Sequence, residues 1–292
     1  MEVIILPSAD NATDLVARII ARDLRRNPRL VLGLATGRTM ETVYARLVRL
    51  HREDALDFST CRTFNLDEYV GLPASDVNSY RHYMNQRLFT QVNIDLQNTH
   101  LPDGVAEDFK AECASYEALI AQCGGIDLQL LGIGNNGHLG FNEPLSAFNS
   151  RTCVKILSPV TLKQNAGFFP SLDQMPRRAI TMGVGTILDC RQCVLLATGA
   201  DKAAIVAQAV EGPITSMITA TALQWHRECV VVLDEAAASQ LKQTDYYRWV
   251  FANQPEWDFF RAVCPAAGQN GQPVHPPQSP PEFKFVETFD LK

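Results

Sequence analysis

The sequence predicts an α/β fold in which helices cover a mostly parallel central sheet. Strand-like apolar runs alternate with segments of helical periodicity along most of the chain. The run LVLGLA at 30–35 is apolar throughout, which is typical of a strand covered on both faces. The composition, 46% hydrophobic and 20% charged residues, is that of a soluble globular protein. The alternation favours one large domain over the roughly two that a length of 292 residues would suggest.

Strands in the first half are predicted from short apolar runs, and helices from apolar residues that recur at helical spacing. Ser8 or Asp10 can cap the first helix, and Pro28 closes that unit. The predicted units are, in order, a strand at 2–6, a helix before Pro28, a strand at 30–35, a helix at 40–51, a strand at 61–66, and helices at 78–89 and 107–122.

In the second half, the apolar run 126–133 predicts a buried strand that ends in a glycine-rich turn. Residues 153–157 alternate as a half-buried strand does, and Gly199 separates a strand from a helix. The units predicted after 126–133 are a strand at 153–157, a helix at 160–169, strands at 180–184 and 192–198, a helix at 201–210 and a strand at 230–234.

The chain changes character near its C-terminal end. Six of the residues in 265–281 are proline, with Gly, Gln and Ser between them. Such a segment favours extended structure over a core element. We therefore predict a single domain over 1–264 and a proline-rich tail over 265–292.

Several classes of function are disfavoured by composition. No apolar run approaches the roughly 20 residues that span a bilayer, and the start, MEVIILPSAD, lacks the basic region of a signal peptide. The net charge of -6 argues against nucleic acid as a partner. We expect a cytoplasmic protein with no membrane partner. An anionic small molecule stays compatible with this charge, because local cations and backbone amides can bind it.

The eight cysteines are spread through predicted strands and helices, so we expect reduced thiols. Cys190 and Cys193 form a CxxC pair, but no second pair or matching histidines follow. A structural zinc site needs such partners. We predict no metal site.

Two segments are candidates for binding an anion. Residues Thr36 to Thr39 lie between a buried strand and a helix, an arrangement that presents free amides and hydroxyls to a phosphate. An ordinary strand-to-helix turn with a threonine cap is an equally good interpretation. Lys202 is predicted in the first turn of a helix, where a cation opposes the helix dipole. An anion nearby would explain that lysine.

The loop LLGIGNNGHLGFNEP at 130–144 is the most informative segment. Gly132, Gly134 and Gly137 satisfy G-x-G-x-x-G, but Pro144 breaks the helix that a dinucleotide site requires, and no acid follows at the expected distance. A Walker loop is excluded as well, because His138 stands where its lysine would be. The glycines therefore indicate a turn that lets the backbone approach another ligand.

Three side chains suggest proton transfer. A carboxylate such as Glu143 can fix the tautomer of His138 and raise its basicity. Asp67, just beyond the end of a neighbouring predicted strand, can be a second base, since ligands bind at the carboxyl ends of parallel strands. Two bases suit proton abstraction next to a carbonyl or imine. A hydrogen-bonded structural role is the alternative for His138, and a solvated loop acid is the alternative for Asp67.

Four motifs together resemble the glucosamine-6-phosphate deaminases. They are FNLDEYVGL at 64–72, LGIGNNGHLGFNEP at 131–144, SRT at 150–152 and TMGVGTILD at 181–189. The related 6-phosphogluconolactonases share the GxGxxGH turn but differ after it. The resemblance implies a Rossmann-like three-layer fold, no cofactor, and conversion of an amino-sugar phosphate into a ketose phosphate with release of ammonia.

The resemblance also implies roles for individual residues. Asp67 would move a proton from C2 to C1, and His138 would open the sugar ring with Glu143 orienting it. Asn136 stands where some members have an aspartate, so it can hydrogen-bond but cannot act as a base. The implied substrate- and phosphate-binding residues are Thr36, Gly37, Arg38, Thr39, Gly137 and Lys202.

Three departures from the family pattern carry further expectations. Gly167 replaces an arginine that contacts the phosphate in some members, while the phosphate loop gains Arg38. We hypothesise that Arg38 supplies the lost contact. Cys153 replaces an arginine of the effector site in allosteric members, so we expect hyperbolic kinetics.

Other interpretations remain open from the sequence. The substrate can be the galactosamine epimer, since one hydroxyl decides between them. A lactone hydrolase and a non-catalytic sugar-phosphate sensor are further alternatives. The family includes monomers and hexamers, so a homo-oligomer is possible.

Overall fold

A computed structural model describes residues 1–171 and 173–263 of the chain. Its main sheet has seven strands, all parallel, with helices on both sides, which confirms the predicted three-layer α/β fold. The strands are β1 (Glu2–Leu6), β2 (Val31–Leu34), β3 (Arg62–Asn65), β4 (Asp67–Tyr69), β5 (Thr99–His100), β6 (Leu128–Leu131), β7 (Cys153–Ile156), β8 (Arg178–Thr181), β9 (Gln192–Ala197) and β10 (Cys229–Asp234).

The helices follow the apolar periodicity of the sequence, and the first is capped by the Ser8 side chain, which accepts the Asn11 N–H. They are α1 (Ala9–Arg26), α2 (Arg38–Asp54), α3 (Tyr80–Arg87), α4 (Phe109–Gln122), α5 (Pro159–Asn165), α6 (Val184–Leu188), α7 (Ala203–Glu211), α8 (Thr244–Asn253) and α9 (Asp258–Val263). None of the helices in the described part is long and apolar enough to cross a bilayer.

The order of the main sheet is β1-β10-β9-β6-β2-β3-β5. Four adjacent strands at its centre, β9, β6, β2 and β3, therefore end at the same edge. The segments after these four strands begin at Thr198, Gly132, Ala35 and Leu66. All the segments for which the sequence suggested chemistry leave from this edge.

A second, three-stranded antiparallel sheet, ordered β4-β8-β7, was not predicted as a sheet. Asp67 was predicted to lie in a loop beyond β3, but it pairs with Thr181 of β8 instead. Local periodicity cannot report such pairing, because the partner lies more than a hundred residues away. A small separate core packs at this sheet, formed by Tyr69, Phe141, Leu157, Phe169, Met175 and Ala179.

Three predicted boundaries are corrected. The helix predicted at 160–169 ends at Asn165 and continues as a 3-10 turn, Ala166–Phe168, which contains the poor helix former Gly167. Val184, predicted as extended, begins α6. Lys202 is the last residue of a 3-10 turn, Ala200–Lys202, and precedes α7 as its N-cap. The short β5 and the helices α8 and α9 were not predicted.

The described cysteines carry free thiols, including both residues of the CxxC pair. The proline-rich tail predicted for 265–292 lies outside the described residues.

Candidate active site

A cavity of about 670 Å³ opens at the carboxyl edge of the four central strands. Loops from β2, β3, β6 and β9 form its walls, and α5 with the turn after it lies along one side. Of the residues singled out from the sequence, those lining the cavity are Thr36, Gly37, Arg38, Thr39, Asp67, His138 and Lys202.

One end of the cavity carries the groups suited to an anion. Gly37 precedes α2 with a φ of 120°, a conformation that favours glycine, and the first turn of this long helix faces the cavity. Lys202 reaches across from its position before α7 and donates to the Ile133 carbonyl at 3.1 Å and to Asn135 Oδ1 at 2.5 Å. Burial lowers the pKa of Lys202.

Arg38 lies against the segment that lacks the expected arginine. Its guanidinium carbon is 5.2 Å from the centroid of the Phe168 ring, a cation–π contact. A Cβ at Gly167 would be 3.3 Å from Arg38 Nη2. The guanidinium of Arg38 thus lies beside Gly167. This position is the one that Arg38 needs if it supplies the phosphate contact of the arginine expected at residue 167.

Asp67 is buried at the start of β4, with 5% of its surface exposed. Burial raises the pKa of Asp67 to about 8, and the negative charge of neighbouring Glu68 adds to the effect. Gly140, with a φ of 56°, brings the loop after β6 next to this carboxylate, since a Cβ there would be 3.2 Å from Asp67 Oδ2. A carboxyl of this kind changes ionisation near neutral pH, where a general base is most effective.

Glu68 has a different function, which the sequence did not reveal. Its carboxylate accepts the N–H groups of Tyr69 at 2.8 Å and of Tyr80 and Arg81 at 2.9 Å. It therefore holds the start of α3 against β4. Burial raises the pKa of Glu68, and these N–H groups partly offset the effect.

His138, which lines the cavity, and Glu143 form a buried pair. His138 Nδ1 is 3.6 Å from Glu143 Oε2, and only 7% and 8% of the two residues is exposed. Asn136 links them, because its Nδ2 donates to Glu143 Oε2 at 2.7 Å and its Oδ1 accepts the His138 N–H at 3.2 Å. Asn136 and Glu143 lie behind the cavity wall, where they can support His138 without touching a ligand.

Two donors on α5 complete the surroundings of Glu143. The Thr161 hydroxyl donates to Oε1 at 2.6 Å, and the Ser158 N–H donates to the same oxygen at 2.9 Å. Burial alone would raise the pKa of Glu143, but the His138 imidazole at 3.6 Å and the hydrogen bonds from Thr161 and Ser158 lower it to about 2. Sequence reasoning missed both residues. Ser158-Pro159 is recognisable as a helix start, but its contact with Glu143 is long-range.

Two glycines of the loop after β6, Gly134 and Gly137, differ in their position relative to the cavity. Gly137 does not line the cavity: its N–H donates to the Gly134 carbonyl, its carbonyl accepts from Ala220, and a Cβ would overlap Ile218 at 2.5 Å. Its position is thus fixed by packing and backbone hydrogen bonds, and its contact with substrate stays a prediction. Gly134 does line the cavity, and a Cβ there would be 2.3 Å from the His138 ring. That glycine lets the imidazole lie directly on the backbone.

An aromatic wall between the two carboxylates was also not predicted. Tyr80 stacks on Phe141, with ring centroids 6.1 Å apart and an interplanar angle of 14°. Tyr69 packs against both of these rings and against Phe169. Asn165, at the end of α5, donates to the Tyr69 hydroxyl at 3.0 Å. The wall is apolar in body with hydroxyl groups at its rim.

Comparisons with known proteins identify the family of the chain. Residues 7–232 match the family model described as glucosamine-6-phosphate isomerases/6-phosphogluconolactonase. The chain is 48% identical over 252 residues to a glucosamine-6-phosphate deaminase of Shewanella loihica, covering 86% of this chain and 94% of that one. It is 49% identical over 257 residues to the glucosamine-6-phosphate deaminase of Pseudarthrobacter chlorophenolicus, covering 88% and 99% of the two chains.

Solved structures give the same result for the fold. A monomeric glucosamine-6-phosphate deaminase matches with a TM-score of 0.81 and 44% identity, over 82% of this chain and 100% of that chain. A 6-phosphogluconolactonase from Trypanosoma brucei shares the fold at 20% identity, with a TM-score of 0.65 over 82% and 98% of the two chains. The resemblance inferred from the four motifs is confirmed. The chain belongs to the glucosamine-6-phosphate isomerase/6-phosphogluconolactonase family.

Proposed function

We propose that this protein converts glucosamine 6-phosphate and water into fructose 6-phosphate and ammonia. The observation that carries the proposal is one cavity lined by two candidate bases, Asp67 and the His138 that is paired with Glu143, with an anion-binding end beside them. Isomerisation of an amino sugar needs one group to open the ring and another to move a proton between carbons. Curated relatives named glucosamine-6-phosphate deaminase, at nearly half identity, support the same assignment.

Ring opening is the function of His138. Its Nδ1 faces Glu143, so an Nδ1–H can be held there while Nε2 accepts the proton of the C1 hydroxyl. The bond between C1 and the ring oxygen breaks, and the protonated imidazole of His138 gives its proton to the ring oxygen. The open-chain amino aldehyde results. Glu143, with its lowered pKa, stays anionic throughout and stabilises the protonated imidazole.

Asp67 moves the proton that converts aldose to ketose. As a carboxylate it takes the proton from C2 and returns it to C1, while the C1 oxygen gains the proton that the C2 ammonium gives up, which leaves a protonated imine at C2. Water adds to C2, and ammonia departs to give the ketone. Asp67 must be ionised for this step, and a substrate ammonium beside it lowers the raised pKa of the free site.

The phosphate is bound by Arg38, Lys202 and the first turn of α2. A bidentate arginine and a helix N-terminus are both suited to a dianion, and binding energy there positions the sugar for the two bases. Arg38→Ala should raise KM for the phosphorylated sugar about tenfold or more, with kcat changed less. An unchanged KM would exclude Arg38 from phosphate binding.

One coupled assay tests the function. Purified protein is given glucosamine 6-phosphate, galactosamine 6-phosphate or 6-phosphogluconolactone, and ammonia, fructose 6-phosphate and acid release are followed. We expect ammonia and fructose 6-phosphate in equal amounts from the glucosamine epimer. Turnover of the galactosamine epimer alone, or of the lactone alone, would contradict the proposal. Binding without turnover would favour a sugar-phosphate sensor.

We also propose that the protein acts in the cytoplasm as one folded domain over 1–264. The relatives are metabolic enzymes with names that imply a sugar-phosphate substrate. A homo-oligomer remains a prediction to be tested by sedimentation, since the structural relative described above is a monomer.

A further inference from the structure

Glu143 is oriented chiefly by an element remote from it in sequence. Both donors to its Oε1, the Thr161 hydroxyl and the Ser158 N–H, belong to the start of α5. With Oε1 held by these two donors, Oε2 is turned toward Asn136 Nδ2 and His138 Nδ1. Hydrogen bonds from the start of α5 thus fix the orientation of the carboxylate, and its second oxygen, Oε2, lies next to the loop at 136–138.

Thr161 lies where it can affect both members of the pair. It is 1% exposed, and its Oγ1 is 2.6 Å from Glu143 Oε1 and 3.5 Å from His138 Nδ1. Because Oγ1 carries one proton, and the nearest acceptor is the carboxylate, the hydroxyl donates to Glu143. In the described residues the titratable group in contact with Glu143 is His138, while Asn136, Ser158 and Thr161 are neutral.

We propose that Thr161 is a positioning residue for ring opening: its hydroxyl fixes the Glu143 carboxylate in the orientation that pairs it with His138. The proposal rests on the function proposed above and identifies a residue for that same site. Thr161 does not line the cavity, so it acts through Glu143 and not on the sugar. Without the hydroxyl, the carboxylate loses one of its two anchors on Oε1 and can rotate away from the imidazole.

A purely structural role for Thr161 predicts different behaviour. Thr161 also belongs to the first turn of α5, where its N–H donates to the Ser158 hydroxyl at 3.3 Å. That contact uses the backbone of Thr161, so it survives Thr161→Val and Thr161→Ser, whereas the 3.1 Å contact between the Thr161 and Ser158 hydroxyls depends on the side chain. Thr161→Val keeps the shape of the side chain and removes the hydroxyl, whereas Thr161→Ser keeps the hydroxyl and removes the methyl group.

The test compares these two variants in glucosamine 6-phosphate deamination. We expect Thr161→Val to lower kcat by ~10- to 100-fold with KM changed little, as for loss of a hydrogen bond to a charged group. Thr161→Ser should stay within about threefold of the wild type. If Thr161→Val does not fold, Thr161→Cys, of similar size but with a weak donor, takes its place under the same expectation.

A double-mutant cycle with Glu143→Gln separates positioning from packing. Thr161→Val should lower kcat in the wild type and have little further effect when residue 143 is already Gln. Equal losses in both backgrounds, a loss in Thr161→Ser as large as in Thr161→Val, or an unchanged kcat in Thr161→Val would each overturn the proposal. Failure of the proposed function is distinguishable, because the wild type itself would then release no ammonia.

Discussion

Asp67 and Glu143 are both buried beside the same cavity, 5% and 8% exposed, yet their ionisation behaviour is opposite. The pKa of Asp67 is raised to about 8, and that of Glu143 is lowered to about 2. Burial acts on both in the same direction. Their partners differ: Glu143 accepts hydrogen bonds from Asn136, Ser158 and Thr161 and has the His138 imidazole 3.6 Å away, while Asp67 has the anionic Glu68 beside it.

The comparison separates two uses of a carboxylate in one site. A carboxylate with a full set of donors is a fixed charge, suited to orienting an imidazole through the whole reaction. A carboxylate that lacks them is poised to gain and lose a proton near neutral pH. The donors around Glu143 and the burial of Asp67 without such donors together assign the roles of fixed anion and proton carrier.

The largest effect is expected from Asp67→Asn. Removal of the proton carrier should lower kcat by ~10²–10⁴-fold, because that is what a positioned general base contributes. Binding of glucosamine 6-phosphate, measured by calorimetry, should stay within a few-fold of the wild type. A substantial kcat in this variant would contradict the assignment of Asp67 as the proton carrier, since Asp67 would not be needed as a base.

Glu143→Gln should have the second largest effect, about 10²-fold on kcat. A glutamine can present its NH₂ group to His138 Nδ1, which favours the tautomer that leaves no lone pair for the substrate. Glu117 offers a matched control, as it accepts from Thr152 at 2.8 Å and Thr186 at 2.6 Å outside the cavity lining. Glu117→Gln should leave kcat nearly unchanged. Equal losses of kcat in the two variants would point to a general effect on folding.

Stability should depend on pH in opposite ways at the two sites. The folded-state pKa of Asp67 is raised. The favourable contribution of this residue to the free energy of unfolding is therefore fully present below about pH 4 and is lost as the pH rises through 8. At pH 9 we expect the free energy of unfolding of Asp67→Asn to exceed that of the wild type by on the order of 1–3 kcal/mol.

For Glu143 the folded-state pKa is lowered, so its contribution is present above about pH 4.5 and is lost as the pH falls toward 2. Glu143→Gln should therefore be less stable than the wild type at pH 7, and the difference should shrink in acid. Denaturant titrations at several pH values measure both effects. Parallel curves for the wild type and either variant would mean that the carboxylate concerned contributes nothing pH-dependent to folding.

The sequence was sufficient for the parallel sheet and for most of the site, because the informative residues directly follow buried strands. Asp67, His138 and Lys202 could be located from strand ends alone. Thr161, Ser158 and Glu68 could not, since their hydrogen bonds join segments that are distant in sequence and leave no local pattern. For Gly137 the sequence could not reveal the packing against Ile218, because a glycine required by packing and a glycine required by a ligand give the same motif.

The smallest effect is expected at Asn136, where the sequence differs from members that carry an aspartate. Asn136→Asp replaces the donor on Glu143 Oε2 with a second negative charge, which should raise the pKa of Glu143 and favour protonated His138. We expect kcat to change by less than about tenfold, because His138 keeps a carboxylate partner, and the acidic limb of the kcat profile to move to higher pH. A pH profile identical to that of the wild type would mean that the Asn136 amide does not contact Glu143 during turnover, and Glu143 would then depend on α5 alone for its orientation.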